Sequence, residues 1–250
     1  MIKKQLSISL GFDLHSLEFH HRHHSDLVIL PELVSGGYAP LWKGAPPFRI
    51  DDPLLQELRQ NTRQTSQYLV PGSLFLENAG IRTNSSIVLH RGRMVYRYDK
   101  IHLFRPTGDH IFFSSGKRIG VFTVRTQTVR VRAGIAICYD LRFPELIRAM
   151  RLRGMHLLLV PARWPIARDD AWFTLLKARA IENQIFVVGC NAKGKEGGYS
   201  YAFDPTGRLI YDNRRTLNKR IDTVALDLSK LDEAKQLQDP LKEARLLGRF

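Results

Sequence analysis

Residues 133–145 read AGIAICYDLRFPE: an apolar, β-branched run closed by Cys138, then Tyr139, Asp140 and Arg142, then a proline that opens a helix. A strand that ends a few residues before a helix presents its last side chains to a cleft in alternating strand-helix folds. The stretch is therefore a place for a nucleophile, although a thiol closing an apolar run also serves as a small packing residue. On either reading it is a strand-turn-helix unit, and the rest of the chain repeats that grammar.

Outward from this unit lie further short apolar runs, LSISL, DLVILPEL, SLFLE, SSIVLH, VYRY, GVFTV, HLLLVPA, IFVVGCN, SYAFD and TVALDL, each bounded by turn residues. They predict many strands. Helices are predicted over 52–69, behind an Asp-Asp-Pro start signal, over 144–153, stopped by Gly154, and over 168–184, where apolar residues recur at helical spacing. Tight turns at Arg91-Gly92, at the Thr-Gln tip of TVRTQTVRV and at Pro-Thr-Gly in FDPTGRLI predict hairpins, so the sheet is mixed. The glycine-rich KGKEGG of 193–198 reads as a surface loop.

With 250 residues, 44% hydrophobic and 25% charged, one large core accounts for the chain, and a single domain over 1–250 is expected. No run approaches the roughly 18 apolar residues of a membrane span, and the first residues lack a cleavable leader pattern. A cytoplasmic protein without a membrane partner is expected. Cys138 and Cys190 are expected as free thiols, since a reducing compartment has little use for a lone disulfide. The formal charge of +14 raises a polyanion partner, but Lys and Arg are spread along the chain without interleaved aromatics, and nucleic acid is not expected. The His-rich stretch His20–His24 lacks ligand spacing for a metal and reads as an incidental cluster.

Three apolar runs end in a reactive residue: DLVILPE at Glu32, MVYRYDK at Lys100 and GIAIC at Cys138. Each has an ordinary reading, as a helix-start carboxylate, a solvated strand end and a buried thiol. Together they form a chemical set: a lysine favours the thiolate, a glutamate relays protons, and attack on a carbonyl or nitrile carbon needs both. The Lys100 ammonium and the backbone N–H of Tyr139 are the candidate holders of an oxyanion.

At these residues the sequence resembles the nitrilase superfamily of carbon-nitrogen hydrolases, whose Glu-Lys-Cys triad sits in motifs that read here ILPEL, YDKIHLF and CYDLRFPEL. CYDLRFPE, with RWP around Trp164 and LLKARAIENQ, is most like the omega-amidase branch. The resemblance implies an α/β fold (α+β in some schemes), a four-layer α-β-β-α sandwich, and a homodimer formed through a helical face. It implies catalytic Glu32, Lys100 and Cys138, supported by Asp109 and Tyr139, with Arg142 and Trp164 binding substrate and no metal or organic cofactor. Guanidinium geometry makes Arg142 the candidate for gripping a substrate carboxylate, the alternative being an ion pair with Asp140 or Glu145.

The implied reaction is hydrolysis of the terminal amide of a small carboxylate-bearing molecule. Another amide (an N-carbamoyl amine or deaminated glutathione) is the alternative within the class, and a catalytically weakened binding protein the alternative outside it. The departures concern the short segment DLHSLEFHHRHH, the lack of a first-strand Gln, Ala171 in place of a His, and Asp109 where relatives carry a lysine-orienting Glu. An Asp there is either brought nearer by the RPTGD loop or holds Lys100 loosely.

Overall fold

In a computed structural model, which describes residues 4–17, 25–216 and 219–237, strands β1 (Gln5–Gly11), β2 (Leu27–Ile29) and β3 (Tyr68–Val70) pair in parallel. Hairpin strands extend this sheet: β4 (Leu74–Asn78), β5 (Ile81–His90) and β6 (Arg93–Asp99). β5 pairs antiparallel with β3 through Leu89 and His90, with β4 through residues 81–85, and with β6 along its other edge. β13 (Ile221–Asp227) closes the far side, antiparallel to β1. His20–His24 lies outside the described residues.

The second sheet has six strands among the described residues. Its middle strands β8 (Arg130–Ile135), β9 (Leu157–Ala162) and β10 (Phe186–Asn191) are parallel. β7 (Phe122–Arg125), β11 (Tyr201–Phe203) and β12 (Leu209–Asp212) are antiparallel additions. Both sheets are therefore mixed, as the turn signals predict.

The two-residue period of a strand sends alternate side chains to opposite faces, and that period builds the layers. Leu6, Ile8, Leu10, Leu27 and Ile29 join one buried cluster with Val131, Ala133 and Ile135 of the other sheet, so the sheets face each other. Val28, Leu30, Leu69 and Leu89 point the other way, onto Leu55 and Leu58 of helix α1 (Pro53–Arg63). On the second sheet's outer face lie α2 (Pro144–Leu152) and α3 (Asp169–Asn183). α3 sits so close to β10 that a Cβ at Gly189 would lie 2.6 Å from the Trp172 ring and 2.7 Å from Leu176. This is the α-β-β-α sandwich. A last helix, α4 (Lys230–Leu237), follows β13.

One predicted helix is corrected. α1 starts as expected, with the Asp52 side chain accepting from Leu54 N–H at 3.0 Å, but it ends at Arg63, and 68–70 is the strand β3. Tyr68-Leu69-Val70 is buried on both faces in the middle of a sheet, so its continuous apolar run carries no alternation to separate strand from helix. Pro71, which disfavours helix in the residue before it, was the available signal.

Two of the arginines of α2 have a structural use. Arg148 and Arg151 donate to the carbonyls of Glu182 and Asn183, capping the C-terminal end of α3. No helix among the described residues is long and apolar enough to cross a membrane.

Candidate active site

Glu32 sits three residues beyond β2, on a turn braced from behind by residues 71–73. Ser73 N–H donates to Pro31 O at 3.3 Å, and the Ser73 hydroxyl accepts from Leu33 N–H at 3.0 Å. Gly72 has φ +64°, and a Cβ there would stand 1.7 Å from Pro31 O, so only glycine allows this brace. Lys100 directly follows β6, its N–H held by Asn84 O at 2.9 Å. Cys138 lies three residues beyond β8, as the first residue of a 3-10 turn (Cys138–Arg142).

These three positions, 68 and 38 residues apart in the chain, meet in one place. The Lys100 ammonium donates to Glu32 Oε1 at 2.7 Å and to Asp109 Oδ2 at 2.8 Å, with all three side chains fully buried. Asn84 Nδ2 also donates to Glu32 Oε1, at 2.9 Å, and Arg163 N–H donates to Oε2 at 3.3 Å. The Cys138 thiol reaches Arg163 O at 3.9 Å and lies within the field of Glu32 and Lys100.

Of the five non-glycine residues with positive φ among those described, Ala79 and Arg91 make hairpin turns and Gln184 ends α3. The other two are Leu33 (φ +44°), next to Glu32, and Cys138 itself (φ +47°). Strain of this kind persists where the surrounding structure holds a side chain to a task.

Electrostatics correct one expectation. Burial alone pulls the Lys100 ammonium down, but Glu32, Tyr38 and Asp109 outweigh it and hold its pKa well above the usual lysine value. Lys100 is a fixed cation. Burial, and then the Glu32 carboxylate, push the Cys138 thiol well above its ordinary value, and Lys100 offsets only part of this. Burial and Glu32 together therefore favour the neutral form of the thiol, where the Cys-Lys proximity alone suggests a thiolate.

Asp109 is held firmly. The 3-10 turn Arg105–Thr107 and Gly108, at φ +82°, deliver its carboxylate to Lys100. It also accepts from Phe104 N–H at 2.9 Å, Thr107 Oγ1 at 3.1 Å and Tyr38 OH at 2.7 Å. The missing methylene is made up by the loop.

A cavity of about 310 Å³ opens above Cys138, with Tyr139, Arg142 and Trp164 on its wall. The Tyr139 N–H starts the 3-10 turn, where no acceptor exists within the turn. Arg142 lies over the Trp164 ring, 5.0 Å from its centroid. Asp140 accepts instead from Tyr98 OH, Ile137 N–H, His102 N–H and His102 Nδ1 (2.7–3.0 Å), so no ion pair ties Arg142 to Asp140 or Glu145 among the described residues.

KGKEGG is more than a surface loop. Lys195 and Glu196 line the cavity, and Glu196 Oε2 meets Arg163 NH1 at 3.3 Å. Tyr38, Asn84, Arg163 and Glu196 were not found from sequence. Only Asn84 left a signal, the polar run Thr83–Ser86 inside a strand, buried throughout. Among the described residues no three His, Cys, Asp or Glu side chains converge to hold a metal.

Known proteins resemble this chain along most of its length. The family model for carbon-nitrogen hydrolases matches residues 14–236. A 2-oxoglutaramate amidase of Bacillus subtilis is 33% identical over 229 residues, covering 85% of this chain and 82% of the relative. Omega-amidase YafV of Escherichia coli is 31% identical over 217 residues, covering 84% and 81%. The crystal structure of a CN-hydrolase superfamily protein from Xanthomonas campestris superposes with a TM-score of 0.82 at 26% identity, over 98% of this chain and 99% of that one.

Proposed function

The chain belongs to the carbon-nitrogen hydrolase family, within the nitrilase superfamily and consistent with its omega-amidase branch, and from that premise we propose how this amidase works and on what. The reading is that it hydrolyses the terminal amide of a short carboxylate-bearing molecule. The observation that carries it is a 310 Å³ cavity with the Glu32-Lys100-Cys138 cluster in it and an arginine, free of carboxylate partners among the described residues, on its wall.

Cys138 Sγ attacks the amide carbon while its proton passes to Glu32. The carbonyl electron pair moves onto oxygen, and Lys100 and the Tyr139 N–H hold that oxyanion. Collapse of the tetrahedral intermediate breaks the C–N bond. Glu32 returns the proton to the leaving nitrogen, ammonia departs, and a thioester remains. Water, deprotonated by Glu32, attacks the thioester; the C–S bond breaks, the acid leaves, and Cys138 regains its proton. A neutral thiol beside a carboxylate suits this order, since the proton leaves only as the C–S bond forms. Asp109 fixes Lys100, and Arg142, stacked on Trp164, pairs with the substrate carboxylate in a two-pronged contact.

A single domain and a homodimer complete the reading. One buried cluster shared by both sheets supports the first. The second is supported by Leu152 of α2 and Ile181 of α3, which stay exposed on helices of one outer layer. Two unpaired cysteines suit a reducing cytoplasm.

The test is ammonia release from succinamate, alpha-ketoglutaramate and glutamine, with propionamide as the uncharged control. Faster turnover of the two acid monoamides supports the reading. Preference for propionamide overturns the carboxylate assignment, and no release from any of them overturns the substrate class.

A further inference from the structure

Arg163 contacts both Glu32 and Cys138, and its guanidinium reaches back to the turn that carries Glu32. Its Nε donates to Glu32 O at 2.8 Å and its NH2 to Leu33 O at 3.1 Å, so one planar fork grips both carbonyls of the strained turn that carries Glu32. Its own N–H meets the Glu32 carboxylate, and its carbonyl lies beside the Cys138 thiol. The remaining prong, NH1, meets Glu196 in the 193–198 loop. That junction is tight: a Cβ on Gly37 would lie 2.4 Å from Glu196 Oε2 and 2.9 Å from the guanidinium carbon.

We propose that Arg163 is a positioning residue for the Glu32 base, and that Glu196 tethers it, so the 193–198 loop controls how well Glu32 is aimed. The inference rests on the reading of Glu32 as the proton relay. Its physical basis is that a guanidinium fixes two carbonyls in one plane, whereas a turn with Leu33 at φ +44° is not a resting conformation for a leucine. With the clamp loosened the turn relaxes, Glu32 moves relative to Cys138, and proton transfer slows while the cavity wall at Arg142 and Trp164 stays in place.

The groups facing Glu32 are Lys100 and Asn84 from the first sheet, Tyr38 from its own loop, and Cys138 and Arg163 from the second sheet. Of these, the proposal alters only Arg163.

The experiment measures kcat, KM and the thermal midpoint of Arg163→Lys, Glu196→Gln, the double variant and Glu32→Gln, all on one acid monoamide. Arg163→Lys is expected to lower kcat about 30-fold with KM within about 3-fold, since small misplacements of a reacting group cost up to about 100-fold. Glu196→Gln, on the more exposed partner, should lower kcat about 5-fold in the same pattern, and the double variant should be no slower than Arg163→Lys alone, because neighbours on one path are not additive.

A merely structural role moves the thermal midpoint and leaves kcat as in the parent. Glu196→Gln with parental kcat overturns the proposal, whether or not Arg163→Lys folds. So does a loss confined to KM. Retained turnover in Glu32→Gln sinks instead the reading of Glu32 on which the proposal stands.

Discussion

Cys138 and Cys190 close similar apolar runs in the same sheet, yet their surroundings differ in almost every respect. Cys190 is an extended residue of β10 with no exposed surface, its thiol 3.3 Å from Gly11 O and 3.5 Å from Ile29 O. Cys138 stands off the end of β8 in a left-handed conformation, partly exposed, beside Glu32 and Lys100. Both thiols are pushed up, Cys190 by burial alone, Cys138 by burial and then by Glu32 against the pull of Lys100. A raised thiol pKa therefore does not separate the two. What separates them is a base to take the proton, a fixed cation for the charge that forms on oxygen, and a cavity.

The largest test of that contrast removes each sulfur in turn. Cys138→Ala should lower ammonia release by at least about 10³-fold with the fold retained, as when a nucleophile is removed from a unit that works together. Cys190→Ala should keep its turnover and lose on the order of 1 kcal/mol of stability, as a small core truncation does. Equal losses of turnover would break the comparison. Next in size is the support behind Lys100. Asp109→Asn should cut kcat on the order of 100-fold, the scale of losing one well-placed oxyanion contact. Asp109→Glu should not raise it, because a fully buried carboxylate with four donors has no room for another methylene. Faster turnover in Asp109→Glu would show Lys100 to be loosely held.

The motif residues were legible because each ends a strand, and strand ends of this fold converge; ILPEL, YDKIHLF and CYDLRFPEL needed no three-dimensional information to be placed together. Tyr38 and Arg163 were not legible, since each reaches the site through a side chain or a turn whose direction no spacing records, and Asn84 left only the polar run Thr83–Ser86. Arg163 is the sharpest case: in sequence it is one basic residue before Trp164, and in the fold it joins two sheets at the turn that carries Glu32. The thiolate expectation was corrected for a related reason. The residue types were right, but the balance between burial, Glu32 and Lys100 depends on positions that only the fold supplies. The layers were readable from strand alternation, whereas β3 was absorbed into a helix because both its faces are buried.

Smaller effects sharpen the comparison at the cavity wall and in solution. Arg142→Lys should raise KM for succinamate about 10-fold more than for propionamide, since a point charge does not reproduce the two-pronged contact with a carboxylate. Equal effects on both amides would assign Arg142 to packing against Trp164. The slightest expected change is in the pH dependence of alkylation. With its thiol pushed up, Cys138 in the free enzyme should react with iodoacetamide at a rate still climbing above about pH 8.5, the ordinary thiol value. A plateau below that pH would mean a preformed thiolate.

The most direct measurement follows iodoacetamide labelling of both cysteines by peptide mass spectrometry while ammonia release is assayed in the same samples, with and without succinamate. Label should appear on Cys138 first, activity should fall in one-to-one proportion to it, substrate should slow both, and Cys190 should stay unmodified until the protein is unfolded. Activity that survives complete labelling of Cys138, or that falls in step with Cys190, would contradict the assignment of Cys138 as the nucleophile.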